Sequence, residues 1–411
     1  MEWYNRFVFS SGVCDETPHP VLVTTSQKLE ALCRDIRSEG VCGFDTEFVF
    51  ERTYYPRLGL IQLSAPSGIA GAVDPLSVKD LGPALDLLLD DRIKKIVHAG
   101  GMDWKIVAQL SGRLPQSVFD TQIAASFLGF GPQIGYAPLI ESVLDIKVDK
   151  SETYTDWLQR PLRQEQITYA LSDVTHLLKV QHHLESELER RGRLSWAVEE
   201  FRRSVHIDLY ADPDPYAVFL DIRRSSSLGR RELAVLRELA AWREMEAKTR
   251  DLRPHFVLKD DVLLALARRA PRSEPDLLQV RGITSQEIIR SGPDILKAIH
   301  RARKLPDTEW PSVEKGEPPE PGLDAAVNLL QSYLQIRAKE LDLATETLLT
   351  KGMLKAIVRQ GENATSTDGT PILKGWRKEL LGTDFLDLLN GQMTLGLDPK
   401  TRKLKIYPAA R

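Results

Sequence analysis

The sequence predicts an α/β domain built on a mixed sheet flanked by helices, followed by two small all-α helical-bundle domains. Three observations predict it. Short β-branched runs alternate with amphipathic helical stretches over roughly the first 205 residues. Pro and Gly separate the opening runs closely enough for an antiparallel meander. Strand signals then stop near Ser225, and only helical periodicity remains.

The elements follow in order. Val21–Thr24 reads as a strand. Ser26–Glu39 reads as a helix with Ser26 as its cap, Leu29, Leu32, Cys33 and Ile36 on one face, and Gly40 as its stop. Strands Val41–Phe48, Leu58–Ser64 and Ile69–Val73 form the meander. A helix at Leu81–Leu89, a strand at Lys94–His98 and a helix from about Met102 to Leu110 come next. Val118–Phe119 is a short strand, after which Asp120 caps a helix. One long helix covers Gln164–Arg190. The domain limits expected are 1–205 for the α/β domain and 222–305 for the first helical domain. A Pro/Glu-rich linker at 306–322, a second helical domain at 323–395 and a basic tail at 396–411 complete the chain. In the first helical domain, Arg231–Lys248, Asp260–Arg269, Ser285–Arg290 and Pro293–Arg303 are expected as separate helices. Residues 256–268 can be laid on residues 347–359, which points to one unit used twice.

Composition narrows the function. The chain has 411 residues, is 42% hydrophobic and carries a net charge of −3, so any nucleic-acid contact must rest on local patches. No apolar run approaches the ~18 residues of a membrane span, and the N-terminus lacks a signal-peptide core. Three cysteines, none in a C-x-x-C pair, argue against disulfides and zinc, and the cytoplasm is the expected location. From Ala325 onward 13 basic residues face 9 acidic ones, so this half can touch phosphates or simply be solvated. The tail itself reads as a disordered end or an RNA contact.

The chemistry lies in the acids. Asp45 and Glu47, two apart in an apolar strand, point to one face about 7 Å apart. Two carboxylates there repel each other unless a cation compensates. A sheet with one wet face is the plainer explanation of the pair taken alone. Tyr169 and Asp173 share a helix face about 6 Å apart along the axis. Asp103 stands in the first turn of a helix behind Gly100 and Gly101, where capping alone would account for it. Together they form an all-oxygen set suited to Mg²⁺ or Mn²⁺ rather than Zn²⁺, and a pair of such ions can clamp both oxygens of a phosphoryl transfer.

FDTEF (44–48), RTYYPRLGLIQLS (52–64), VHAGGMD (97–103), FDTQIAASFLGFG (119–131) and YALSD (169–173) resemble the exonuclease signature of the ribonuclease D family. The stretch 135–178 fits the same family. The segments VLKDDVLLALARR and KGWRKELLG resemble its helicase-and-RNase-D C-terminal (HRDC) domain, present twice. The resemblance implies an RNase H-like fold and 3′→5′ hydrolysis that releases nucleoside 5′-monophosphates from tRNA precursors and other small structured RNAs. It also implies two divalent cations, Mg²⁺ or Mn²⁺. Asp45 would bridge them, Glu47 and Asp173 would complete one site, Asp103 would serve the other, and Tyr169 would position the attacking water. Thr46, Gln62, His98, Tyr55 and Arg57 are the expected substrate contacts, with a buried structural role as the plainer reading of His98. Trp157 is expected to be structural and Asp120 only a cap. A monomer is expected. A DNA exonuclease of the same chemistry and a catalytically silent RNA-binding module are the alternatives. A helicase is excluded because no phosphate loop occurs.

Overall fold

A computed structural model of the chain describes residues 21–148, 152, 155–312, 322–366 and 371–408. Cys14 therefore lies outside the described residues, and the buried Cys33 and Cys42 are free thiols. Six strands form one mixed sheet: β1 (Val21–Val23), β2 (Val41–Val49), β3 (Arg57–Ser64), β4 (Ala70–Val73), β5 (Lys94–Val97) and β6 (Val118–Asp120), in the order β1-β4-β3-β2-β5-β6. The β2–β3–β4 meander is antiparallel; β1 joins β4, and β5 and β6 join β2, in parallel.

Alternation along these strands sends residues to two cores. Phe44, Ile61, Leu63 and Val97 pack beneath α1 (Ser26–Glu39), α2 (Gly82–Leu88) and α3 (Gly101–Ser111). Short helices α4 (Thr121–Ser126) and α5 (Tyr136–Leu144) lead to α6 (Gln164–Thr175), α7 (Leu177–Arg190) and α8 (Leu194–Ser204). These cover Leu60, Ala72 and Ile96 on the opposite face. Asp45 and Glu47 alternate with Phe44 and so share that second face with α6.

Two local expectations are corrected. The cap of α1 is Thr25, whose hydroxyl accepts from Lys28 N–H at 3.4 Å; Ser26 is the first helical residue. The single helix 164–190 breaks at His176. The Thr175 hydroxyl donates to the Leu171 carbonyl at 2.6 Å and the Ser64 hydroxyl to the Val174 carbonyl at 3.0 Å, and such bonds compete with the helical ladder.

The first helical unit comprises α9 (Arg230–Thr249), α10 (Pro254–Val257), α11 (Asp260–Arg269), α12 (Glu274–Leu277) and α13 (Ser285–Lys304), closed around its own apolar core. The two helices expected over 285–303 are one. Pro293 deprives the Ile289 carbonyl of its donor, but Ile289 is 84% exposed, so water can supply the bond. The buried stripe Ile288, Ile295, Ile299 and Ala302 runs through at helical spacing.

The second unit repeats the order: α14 (Leu323–Glu340), α15 (Thr345–Leu348), α16 (Lys351–Gln360), α17 (Gly375–Arg377) and α18 (Thr383–Leu389). Of the Pro/Glu-rich linker, Asp307–Glu309 form one 3-10 turn, and residues 313–321 lie outside the described residues. The chain then forms a hairpin, β7 (Met393–Leu397) and β8 (Leu404–Pro408). The expected boundary at 395 and the tail from 396 both fall inside it. Its turn is built on Asp398, which accepts from Lys400 and Thr401 N–H at 3.0 and 2.7 Å and pairs with Lys405. The alternation in Leu404-Lys405-Ile406 carries the strand signal that its charge obscures. No helix among the described residues is long and apolar enough to cross a membrane.

Candidate active site

The three outer-face acids converge. Asp45 and Glu47 on β2 and Asp173 on α6 each place a carboxylate oxygen within 4.8 Å of the others. Burial pushes Asp45 well above the ordinary carboxylate range. The charges of Asp103, Asp173 and Glu47 add to that, and the Thr46 N–H opposes it only in part. Burial and then Asp173 and Asp103 push Glu47 up to about 8. Burial also raises Asp173 and Asp103. Crowded, poorly solvated carboxylates of this kind are stabilised by a hard cation bound among their oxygens, so the residues fit a divalent metal.

Asp103 arrives from the opposite core. It is buried in the first turn of α3 and accepts a 2.5 Å bond from the Thr46 hydroxyl, which fixes it to the strand between the two other acids. The turn before it is held by Asp120. Besides capping α4 through Gln122 and Ile123 N–H at 2.8 and 3.3 Å, that carboxylate accepts from Ala99 and Gly100 N–H, both at 3.1 Å. Ala99 has φ 55°, a conformation a side chain adopts only at some cost, and the Asp120 bonds offset it. Asp120 is thus more than the cap expected.

Tyr169 lies one turn before Asp173, with its ring 6.2 Å from that of Trp157. Trp157 is held by Arg160, which donates to the Trp157 and Gly59 carbonyls at 2.8 and 2.7 Å and to both oxygens of Asp74. Gly59 is required here: a Cβ would meet the Trp157 carbonyl oxygen at 2.7 Å.

The expected substrate contacts divide. The Thr46 side chain is buried and engaged with Asp103. Gln62 is 0% exposed, directly across the sheet from Asp45, and neither of its amide atoms has a partner. His98 has both ring nitrogens engaged, at 2.9 Å from the Thr121 hydroxyl and 3.1 Å from the Ile134 carbonyl. Tyr55 is half-buried, and its hydroxyl donates to Asp212 at 2.7 Å; Arg57 is exposed at the start of β3.

Residues 20–189 match a family described as 3′-5′ exonuclease, and residues 232–299 match the HRDC domain. The chain is 38% identical to ribonuclease D of Granulibacter bethesdensis over 393 residues, which is 94% of this chain and 97% of that one. The chain belongs to the ribonuclease D family. Ribonuclease D of Gluconacetobacter diazotrophicus is also 38% identical, over 93% of this chain and 95% of its own. The crystal structure of Escherichia coli RNase D, described as an exoribonuclease involved in structured RNA processing, superposes with a TM-score of 0.82 at 33% identity, covering 90% of this chain and 98% of that one. Like other members of the ribonuclease D family, the chain is a 3′-5′ exoribonuclease with an α/β exonuclease core and a helical HRDC region.

Proposed function

We propose that the chain trims the 3′ ends of tRNA precursors and other small structured RNAs, releasing nucleoside 5′-monophosphates, with Asp45, Glu47, Asp103, Asp173 and Tyr169 as its catalytic residues. The observation that carries this is the convergence of three half-buried carboxylates on the α6 face of the sheet. Asp45, Glu47 and Asp173 would hold one Mg²⁺ or Mn²⁺, and Asp45 with Asp103 a second; bound there, such ions supply an activated water nucleophile and neutralise charge at the scissile phosphate.

The protein's own groups do the rest. The Thr46 hydroxyl and the Asp120-braced turn keep Asp103 aimed at the strand. The Tyr169 hydroxyl orients the attacking water. An ordinary tyrosine pKa near ~10 leaves little tyrosinate at neutral pH, so orientation rather than full base catalysis is its role. The water oxygen attacks phosphorus, the bond from phosphorus to the upstream 3′-oxygen breaks, and that oxygen takes up a proton. Thr46, Gln62 and His98 support the site from within, whereas Tyr55 and Arg57 face the incoming strand. The second helical unit is a diverged HRDC domain, and the enzyme acts as a monomer in the cytoplasm.

The test is digestion of 5′-labelled RNA stems with 3′ overhangs, with and without EDTA, beside matched DNA. Stepwise shortening from the 3′ end that EDTA abolishes is expected. Asp45→Asn should remove at least about a thousandfold of the activity. Tyr169→Phe should lower kcat far more than RNA affinity. Turnover retained in Asp45→Asn refutes the assignment, and a preference for DNA refutes the substrate.

A further inference from the structure

The segment Phe50–Pro56, which carries the chain from the Glu47 strand to β3, takes most of its backbone hydrogen bonds from Arg253 and Asp251 of the first helical unit. The Arg253 N–H donates to the Arg52 carbonyl at 2.8 Å, and its guanidinium donates to the Phe50 carbonyl while lying 4.4 Å from the Phe50 ring centre. One oxygen of Asp251 accepts from both Tyr54 and Tyr55 N–H, at 3.1 and 3.4 Å. The Tyr54 hydroxyl donates to Glu244 at 2.7 Å. Asp251 has φ 50°, the left-handed turn that ends α9, and this turn is what carries its carboxylate out to the connector.

Beside the connector lies a groove of about 340 Å³, walled by Tyr55, Arg57 and Asp251 and floored by Leu58, Ile106 and Leu110. Asp103, Ile106 and Leu110 stand at i, i+3 and i+7 on α3, so one helix face runs from the catalytic acid into the groove. Leu110 is 45% exposed, and the exposed Arg57 brings a guanidinium to the rim. An apolar floor with a cation at its edge suits a base and its phosphodiester.

We propose that Asp251 is a positioning residue for the exonuclease: it fixes the connector so that Tyr55 and Arg57 wall a groove that takes an unpaired nucleotide behind the 3′ end. The inference rests on the exonuclease reading above and assigns the first helical unit a part in grasping RNA. The matching residue of the second unit, Asp342 at φ 53°, supplies an internal control. Its carbonyl packs against Gly129, where a Cβ would stand 2.9 Å away, and not against the connector.

The experiment is steady-state kinetics of the full chain on RNA with a single-stranded 3′ tail. Asp251→Gly keeps the backbone conformation and removes the acceptor. The loss of two hydrogen bonds predicts a KM about tenfold higher with kcat within about twofold. Asp251→Asn keeps the accepting oxygen and should restore KM. Asp342→Gly should match the wild type. Leu110→Trp, which fills the groove from α3 and leaves the Asp251 carboxylate and its two backbone donors in place, should also raise KM. The proposal is overturned if Asp251→Gly leaves KM unchanged or lowers kcat alone, if Asp251→Asn is as impaired as Asp251→Gly, or if Leu110→Trp binds RNA normally. Wild-type digestion of the same RNA separates the two claims: if it fails, the exonuclease reading fails; if it succeeds and the variants match it, only the positioning role does.

Discussion

Between α9–α13 and α14–α18 the order of elements is the same: a long helix, a left-handed aspartate, one short turn of helix and a ten-residue helix. Even the closing bonds match, Leu252 N–H to the Ala247 carbonyl and Leu343 N–H to the Ala338 carbonyl, both 2.9 Å. Their attachment differs. The first unit closes its own core and meets the exonuclease domain largely through polar groups, such as Tyr54 with Glu244 and the Tyr54 and Tyr55 N–H groups with Asp251. The second unit shares one continuous apolar core with α4, α7 and α8. Trp376 stacks 5.5 Å from Trp196 and edge-on 5.2 Å from Phe127, and Arg193 donates to the Phe127 and Leu341 carbonyls at 2.7 and 2.6 Å. Similar local folds have thus become an attached module and an integral layer. Burial of apolar area produces cooperativity, whereas partly wet hydrogen bonds contribute little of it.

The largest expected effect tests the shared core. Trp376→Ala should cost about 3–5 kcal/mol. It should lower the melting of the exonuclease domain and second unit together, followed by calorimetry and by hydrogen exchange resolved along the chain. Independent loss of the second unit would break the comparison. Next, Leu263→Ala, at a fully buried position of the first unit, should cost about 3 kcal/mol and speed exchange there while leaving α6–α8 protected. A uniform loss would show one cooperative block instead of two.

The third expected effect concerns charge. Glu47 stands at about 8 in the folded chain, above an unfolded carboxylate at ~4.3. Folding of the metal-free protein therefore takes up a proton. The stability Glu47 contributes is complete below pH ~4 and is lost as pH rises through about 8. At pH 8.5 metal-free Glu47→Gln should be more stable than the wild type by on the order of 2 kcal/mol, with the gap narrowing toward pH 5. The gain should appear in the exonuclease block and not in the first unit. Mn²⁺ titrations of the wild type should show affinity rising at least about tenfold from pH 6 to 8, as protons cease to compete.

The smallest effect concerns the polar attachment. Burial raises Asp212, but hydrogen bonds from Lys248 and Tyr55 outweigh it and hold the group below its usual value of 3.8. Its contribution is present above that value and lost as pH falls through the depressed one. Lys248→Met should loosen the first unit by less than about 1 kcal/mol. Molar salt should do the same to the wild type and leave the second unit unmoved, measured by proteolysis of residues 205–230.

Legibility followed range along the chain. The meander and the shared face of Asp45 and Glu47 follow from period-two alternation, a property of neighbouring residues. The convergence of Asp173 on that pair came through resemblance, because a helix so far along the chain carries no local mark of where it will dock. Asp120 shows the limit well. Its sequence context identifies a cap, yet its second task, bracing the turn before Asp103, arises only because β5 and β6 lie side by side. The break at His176 was missed because periodicity continues across it while the competing donor comes from Ser64, on a strand far away in the chain. The hairpin at the C-terminus was missed for a different reason: its lysines read as solvated charge and masked the alternation.

By itself the sequence determined that four carboxylates and a tyrosine stand at the ends and faces of α/β elements, because alternation, caps and helical spacing are local. Only the tertiary structure decided that Thr46 would tether Asp103, that Gln62 would be sealed beneath Asp45, and that one helical unit would fuse with the catalytic layer while the other gripped its connector. Those outcomes depend on which apolar surfaces meet and which polar groups are left to pair where they do, and neither is a property of any single stretch of chain.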